Sequence, residues 1–434
     1  MKIDIPPKYK KISVEVSRVF LGLVFVFSGF VKAVDPWGTA YKNLDYFTAF
    51  NLNVFDFLAL PFSFLLSAIE FGIGIGLLMG IYRKFNSILV LLFMLFMTPL
   101  TLYLAIADPV SDCGCFGDAI VISNWETFFK NIFLLAAAIV IFRWYRFMMP
   151  LFTKKSQSLV FLWTYLFIFG VSFYCYAHLP ILDFRPYKIG ADIPELMTVP
   201  EDAEPSVFET VLIYSKDGKE QEFTLENYPK DDAGWTFVDS RSKLIKKGYE
   251  PPIHDFTITT DEGDDITDEV LENPSYTFLL IAHKFEKADD ANVDKINEIY
   301  DFSRTFGYDF YALTSSLEEE VQEWKENTGA EYPVCTMDDI TLKTIVRSNP
   351  GLLLIKSGVI INKWSDGDLP GGSDLDMPLE ESALGRIPAN YSVRNIMVLG
   401  LVLFTPLLIL FLVDFFYYRK KEESKNKTEE NIID

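Results

Sequence analysis

The sequence predicts a multi-pass α-helical membrane protein that carries an α/β domain inserted between its fifth and sixth membrane-spanning helices. Six apolar runs each approach the length of about 20 residues that an α-helix needs to cross a bilayer. Basic residues gather at one end of these runs, as they do in the cytoplasmic loops of membrane proteins. A long acidic stretch, 181–390, separates the last two runs.

The predicted spans follow one another through short connections until the long gap before the last one. They cover residues 12–34, 57–80, 85–107, 125–141, 158–179 and 394–416. The fourth span is the shortest, and the orientation of every later element depends on it.

The distribution of Lys and Arg orients these spans. Because basic residues mark cytoplasmic loops, we expect the side that carries them, with both chain termini and a charged tail at 419–434, to be cytoplasmic. The loop 108–124 holds no Lys or Arg and is expected on the extracytoplasmic side of a bacterial-type inner membrane. The basic clusters begin at Lys8, Arg83, Arg143 and Arg419.

The charge of the insert limits its partners. Residues 181–390 hold 44 Asp and Glu against 19 Lys and Arg, a net charge of −25. Nucleic acids and anionic lipids are polyanions, so repulsion argues against both. An extracytoplasmic protein or thiol partner fits better, although acidity also serves simply to keep an exposed domain soluble.

Two of the four cysteines lie in the loop after the third span, in the motif Cys113-Gly114-Cys115. Their α-carbons can be roughly 5 to 7 Å apart, which overlaps the range that a disulfide tolerates. A disulfide in so small a ring is strained, and strained disulfides are oxidising rather than structural. The alternatives are two inert thiols or half of a metal site. We expect no metal site, because His178 and His254 are isolated in the sequence.

The other two cysteines are weaker candidates for a functional role. Cys175 lies near the outer end of the fifth span and is either a small buried hydrophobe or a resolving thiol for the cysteine loop. Cys335 lies in the insert and is predicted to fill a core.

Glu70 lies near the middle of the second span, where a charged side chain costs about 2.5 to 3.5 kcal/mol on insertion scales. We therefore expect it to be protonated or paired, and Arg18 at the inner end of the first span is a candidate partner. A structural hydrogen bond and a proton relay both remain open for Glu70. Lys32 is expected to extend its ammonium group to the membrane interface.

The membrane region resembles a known family. The Arg18-Val19-Phe20-Leu21-Gly22 and Ser28-Gly29-x-x-Lys32 patterns, together with Cys113-Gly114-Cys115-Phe116-Gly117, are similar to the DoxX and MauE group over residues 12–145. The resemblance implies a four-helix membrane bundle. The two remaining apolar spans, taken with their flanking residues as 158–180 and 394–418, lie outside it. The resemblance also implies a quinone- or thiol-linked redox role, which the MauE branch plays in methylamine utilisation, and it places that role on Cys113 and Cys115.

The later part of the insert, 274–388, resembles the thioredoxin fold. Strand and helix signals alternate at 276–282, 292–306, 309–314 and 317–327, and a hairpin follows at 352–364. Asn349-Pro350 precedes the hairpin, where thioredoxin-like proteins place a cis-proline. The expected active-site position, 283–290, contains no cysteine. We therefore expect an inactive domain that holds a partner polypeptide near Asn349 and Pro350.

Three hypotheses of function follow. The first is a redox-associated membrane protein, a candidate component of a thiol-disulfide or quinone-linked oxidoreductase, whose Cys113 and Cys115 exchange electrons with a thiol partner or a quinone. The second is a non-catalytic assembly or scaffold protein whose insert binds the partner. The third is a transporter that uses Glu70. Residues 183–273 are predicted to be a β-rich lead-in to which the sequence assigns no chemistry.

Overall fold

The computed structural model describes residues 6–200, 202–204, 207–216, 219–224, 227–230, 234–246, 248–388 and 391–419. The predicted charged tail beyond residue 419 lies outside them. Six of the described helices are long and apolar enough to cross a membrane, which confirms the prediction of a multi-pass protein.

The membrane region begins with six α-helices. They are α1 (Pro7–Val34), α2 (Pro36–Ala49), α3 (Ala59–Met79), α4 (Arg83–Ala107), α5 (Asn124–Trp144) and α6 (Lys154–Ala177). Five of these are candidate spans. The shorter α2 was not predicted, because no long apolar run marks it. It begins at Pro36, and the carboxylate of Asp35 accepts a hydrogen bond from Gly38 N at 2.9 Å, as is typical of a helix N-terminus.

Helices α1 and α3 pack at very short range, because glycines lie where they cross. A Cβ atom on Gly29 would stand 2.4 Å from Phe71 N, and one on Gly74 would stand 2.5 Å from Val26 N. Close packing of this kind holds membrane helices together, since lipid provides no hydrophobic drive between them. It also brings side chains on the facing sides of α1 and α3 into contact.

The insert starts with a short helix, α7 (Ile193–Met197), and a three-stranded antiparallel sheet in the order β2-β1-β3. These strands fall within the region predicted to be β-rich. They are β1 (Val207–Lys216), β2 (Lys219–Thr224) and β3 (Thr236–Lys246).

A five-stranded sheet with helices on its faces follows. Its elements are α8 (Thr267–Glu272), β4 (Tyr276–Ile281), α9 (Val293–Phe306), β5 (Asp309–Thr314), α10 (Glu318–Thr328), β6 (Val334–Thr336), α11 (Asp339–Ile345), β7 (Gly351–Lys356) and β8 (Val359–Ser365). The chain then ends its described part with α12 (Tyr391–Val413) and a π-helical turn, Asp414–Arg419.

The strand order of this sheet is β6-β5-β4-β7-β8. β4 pairs with β5 in parallel, and it pairs with β7 antiparallel, while β7 and β8 form the predicted hairpin. The peptide bond between Asn349 and Pro350, just before β7, is cis. This arrangement confirms the predicted thioredoxin-like domain.

The central strand β4 is buried on both faces of the sheet. Phe278 and Leu280 pack into one core with α9 and α10, and Leu279 and Ile281 pack into a second core on the opposite face. Alternation of side chains along a strand explains this division. A strand covered on both sides has no polar face, which is why it is a continuous apolar run in the sequence.

Candidate functional site

The cysteine loop joins α4 to α5 and brings the two predicted redox residues into contact. Cys113 Sγ and Cys115 Sγ are 2.7 Å apart, and both are free thiols. Gly114 between them has φ +65°, a conformation that glycine adopts without a steric penalty. Little movement separates this geometry from a disulfide, whose sulfur atoms lie about 2.05 Å apart.

Helix α2 holds the Cys113 side of the loop. Tyr46 donates its hydroxyl hydrogen to the Cys113 carbonyl oxygen at 2.9 Å. Gly114 N donates to the Asp112 carboxylate at 2.7 Å, and Lys42 on α2 pairs with that same carboxylate at 3.0 Å. The unpredicted helix α2 is therefore a part of the site.

The membrane bundle holds the Cys115 side of the loop. The carbonyl oxygen of Cys115 accepts hydrogen bonds from Lys32 Nζ and from Ser28 Oγ, each at 2.6 Å. Lys32 Nζ also forms an ion pair with Glu70 Oε2 at 2.9 Å, and both side chains are almost completely buried. A charged pair beneath the membrane end of the loop thus connects α1, α3 and the cysteine loop.

This pairing corrects two expectations. Arg18 was a candidate partner of Glu70, but its Nη1 donates to Met149 O at 2.8 Å and its Nε pairs with Glu15 at 2.6 Å. Lys32 was expected at the membrane interface, yet its side chain is only 5% exposed. The error came from judging Lys32 by its position near the helix end. Its spacing of four residues from Ser28 places the two on one helix face and was the available signal.

The two thiols differ in acidity. The hydrogen bond from Cys113 lowers the pKa of Cys115 to about 7, burial opposes this shift, and the nearby cations Lys130 and Lys32 lower the pKa further. The same hydrogen bond and burial raise the pKa of Cys113. The thiolate is the reactive form of cysteine, so the lowered pKa favours reaction at Cys115.

A cavity of about 650 Å³ lies beside the cysteine loop. Its walls are mostly apolar and come from α1 to α5, with Phe25, Ile69 and Phe93 among them. Both cysteines, Lys32, Glu70, Lys130 and Asn131 also line it. Apolar walls with a few convergent polar groups are typical of small-molecule sites of this volume.

The thioredoxin-like domain contacts the membrane bundle next to this loop. Arg347 forms ion pairs with Asp35, at the end of α1, at 2.7 Å and with Asp118, in the cysteine loop, at 3.1 Å. Its guanidinium group also lies 5.5 Å from the ring centroid of Tyr41 on α2. Burial alone would raise the pKa of Asp35, but the charges of Arg347 and Arg185, together with the hydrogen bonds from Arg347 and Gly38, lower it.

The residues predicted to bind a partner lie close to this contact. Pro350 is buried, and Asn349 uses its carbonyl oxygen to accept from Asp289 N at 2.9 Å. Its side-chain Nδ2 donates to Lys284 O at 2.8 Å. These bonds join Asn349 to the segment where a redox-active thioredoxin would carry its cysteines. Partner binding at Asn349 and Pro350 stays a prediction.

The remaining cysteines lie apart from the loop. Cys175 is 2% exposed and packs in the core that α3 and α6 share, and it does not line the cavity. Cys335 is 3% exposed and lies in the second core of the insert. Within the described part of the chain, His, Cys, Asp and Glu side chains form no group of three that could bind a metal ion.

Comparisons with known proteins identify two regions. Residues 10–143 match the family model of the methylamine utilisation protein MauE. Residues 208–247 match a domain of unknown function, DUF8463. No curated protein matches the chain.

A solved structure is also similar. A Bacteroides thetaiotaomicron protein described as a disulfide isomerase is 14% identical over 34% of this chain and 86% of its own, with a TM-score of 0.20. A TM-score this low does not support a fold assignment, so the fold of the insert is assigned from its own strand order and pairing. The chain is a multi-pass membrane protein in which a region that matches the MauE family model, residues 10–143, is joined to a thioredoxin-like domain.

Proposed function

We propose that this protein is the membrane component of a thiol–disulfide exchange system and that Cys113 and Cys115 are its redox pair. The observation that carries the proposal is the contact between the two sulfur atoms, 2.7 Å apart, in a loop whose cysteine carbonyls are both held by helix side chains. A loop that is held in this way needs little reorganisation between its dithiol and disulfide forms.

The exchange step oxidises a protein partner. A partner thiolate attacks the Cys113–Cys115 disulfide to form a mixed disulfide, and the second partner thiol then displaces the cysteine. The partner gains one disulfide, and Cys113 and Cys115 take up its two electrons and two protons as a dithiol. Such a partner would be an extracytoplasmic protein that needs disulfides, consistent with the methylamine utilisation role in the name of the MauE family.

Restoring the disulfide removes two electrons and two protons from the dithiol. A membrane quinone is the acceptor class that the adjoining cavity fits, because the cavity has apolar walls, about 650 Å³ of space, and both cysteines at its edge. Lys130 and Asn131 offer hydrogen-bond donors to a carbonyl oxygen in this space. The insert, through Arg347, covers the loop from the extracytoplasmic side that we expect for it.

Thiol trapping in sealed membrane vesicles tests this function. A membrane-impermeant maleimide should label Cys113 and Cys115 only after mild reduction, and peptide mass should locate the label. The Cys113→Ser variant should leave Cys115 free for labelling without reduction, and it should abolish disulfide formation in the partner. Cys335→Ser is the matched control and should behave as wild type. Labelling of the wild-type pair without reduction, under oxidising conditions, would contradict the proposal.

One observation favours the scaffold function as a second candidate. The segment His283–Asp290, where a redox-active thioredoxin-like domain would carry cysteines, has none. If Cys113→Ser leaves function intact while substitutions around Pro350 abolish it, the protein acts as a scaffold. Transport through Glu70 has no such support, because Glu70 Oε2 already forms an ion pair with Lys32.

A further inference from the structure

The two cysteines of the loop are held by different kinds of groups. Cys113 is 7% exposed, and its carbonyl oxygen accepts from the neutral hydroxyl of Tyr46. Cys115 is more exposed, and its carbonyl oxygen accepts from the charged Lys32 and from Ser28. If the two cysteines had the same role in the redox reaction, this difference in their surroundings would have no function.

Lys32 makes as many hydrogen bonds as an ammonium group can donate. An ammonium group has three hydrogens to donate and no acceptor. Lys32 Nζ has three partners, which are Glu70 Oε2 at 2.9 Å, Ser28 Oγ at 2.8 Å and Cys115 O at 2.6 Å. Every hydrogen is therefore used, and the nearby carboxylate compensates the buried positive charge.

The redox function that we propose for Cys113 and Cys115 is the reaction in which Lys32 and Glu70 would take part. On that basis we infer that Cys115 is the nucleophilic sulfur of the pair and that Lys32 and Glu70 are positioning residues that hold it in place. Gly29 supports this arrangement, because only a residue without a side chain lets α1 approach α3 closely enough for the ion pair.

The chemistry of the reduced pair depends on these charges. Reduction of the Cys113–Cys115 disulfide by two electrons and two protons gives a dithiol, and loss of one proton from that dithiol gives a Cys113 thiol and a Cys115 thiolate. The charges that face the Cys115 sulfur are Lys32 on α1, Glu70 on α3 and Lys130 on α5. The two lysines stabilise the thiolate, whereas Glu70 opposes it, and the lowered pKa of Cys115 agrees with that balance.

The rate at which iodoacetamide alkylates Cys115, measured against pH in the reduced full-length protein, tests the inference. Fragmentation of the labelled peptide separates Cys115 from Cys113. Lys32→Met should raise the pH midpoint of Cys115 alkylation by about one unit or more, because an opposite charge is lost. Glu70→Gln should lower the midpoint, because a like charge is lost. Lys84→Met, at an exposed site on α4, is the matched control and should leave it unchanged.

Shifts of the alkylation midpoint in opposite directions in the two single variants distinguish a charge effect from a structural one. If both variants only loosened the loop, their midpoints would move in the same direction, and the inference would be wrong. The double variant Lys32→Met/Glu70→Gln removes both buried charges and guards against misfolding of the single variants. Its midpoint should lie between those of the two single variants, because the two effects oppose each other, and a midpoint outside that range would overturn the inference.

Failure of the proposed redox function can be distinguished from failure of the inference about Cys115. If the wild-type pair forms no disulfide with glutathione disulfide, the redox function itself is wrong. If the wild type forms the disulfide but Cys113 is alkylated first, only the assignment of Cys115 as the nucleophile is wrong.

Discussion

Among single residues, Asp183 has an unusual position, because one carboxylate compensates two buried cations. Arg185 donates to it through Nε at 2.7 Å and through Nη2 at 2.9 Å, and Lys363 on β8 donates at 3.0 Å. Both cations are nearly inaccessible to solvent. This group ties the chain that leaves α6 to the last strand of the thioredoxin-like domain.

Asp183→Asn should destabilise the insert by about 3–5 kcal/mol, since it leaves buried charges without a partner. Denaturant unfolding, followed by limited proteolysis of the insert, measures the change. Asp301→Asn, at an exposed position on α9, is the matched control and should change stability by about 0.5 kcal/mol or less. If the two substitutions change the free energy of unfolding equally, the ion pairs of Asp183 contribute nothing to stability.

The pH dependence of stability has a defined sign. Burial alone would raise the pKa of Asp183, but Arg185 and Lys363 together lower it below its ordinary value of 3.8. The folded state then binds fewer protons than the unfolded state, so the contribution of Asp183 is complete above pH 3.8 and is lost as the pH falls below it. The Asp183→Asn variant should lack this acid-dependent loss, which unfolding midpoints between pH 3 and 5 would reveal.

Single residues also show what the sequence could predict about the site. Cys113, Cys115 and Glu70 stand out in the sequence, because two cysteines around a glycine and a carboxylate inside a span are unusual in themselves. The structure brings all three to one cavity, and their roles stay predictions. The predicted partner of Glu70, Arg18, was wrong. Whether Lys32 turns toward lipid headgroups or into the bundle depends on which helix packs against α1, and one sequence does not contain that information directly.

At the scale of elements, the crossing of α1 and α3 controls the position of the ion pair. Gly29→Ala would place a Cβ atom 2.4 Å from Phe71 N and 2.7 Å from Ser67 O, and backbone atoms cannot rotate away. The helices must separate, which should cost about 1–3 kcal/mol. Thermal unfolding of the protein in detergent measures this loss. It should also shift the alkylation midpoint of Cys115, since Lys32 and Glu70 move apart.

Gly170→Ala is the matched control for this substitution. Gly170 lies in another membrane helix, α6, and an added Cβ would meet nothing within 4 Å. Its unfolding temperature should stay close to that of wild type. If Gly170→Ala is as destabilising as Gly29→Ala, the effect belongs to glycine in membrane helices generally and not to the crossing.

Elements differed in how well the sequence predicted them. The strand β5 was predicted at its observed bounds, and α9 and α10 within one residue, because their hydrophobic patterns are strong. The helix α2 and the three-residue strand β6 were missed. Tertiary contacts define both of these, since α2 lies against the cysteine loop and β6 pairs with the edge of β5.

On the scale of the whole molecule, the contact between the insert and the bundle is the feature that the sequence could not predict. The family resemblances described the two parts separately, and no periodicity relates residues 35 and 347. Arg347 joins them, since it bonds Asp35 and Asp118, and the second of these carboxylates belongs to the cysteine loop itself. The insert therefore contacts the loop that carries Cys113 and Cys115.

Arg347→Met should release the insert from the cysteine loop. The substitution removes three hydrogen bonds to Asp35, at 2.7 to 3.1 Å, and leaves this partly buried carboxylate without its ion-pair partner. We expect a several-fold faster reaction of reduced Cys115 with impermeant maleimide and faster hydrogen exchange over residues 108–123. Arg304→Met is the control, because its 3.7 Å pair with Glu331 is exposed and such pairs contribute about 1 kcal/mol or less. If loop exchange and Cys115 reactivity are the same in both variants, the insert does not cover the redox pair, and its contact with the bundle is only an anchor.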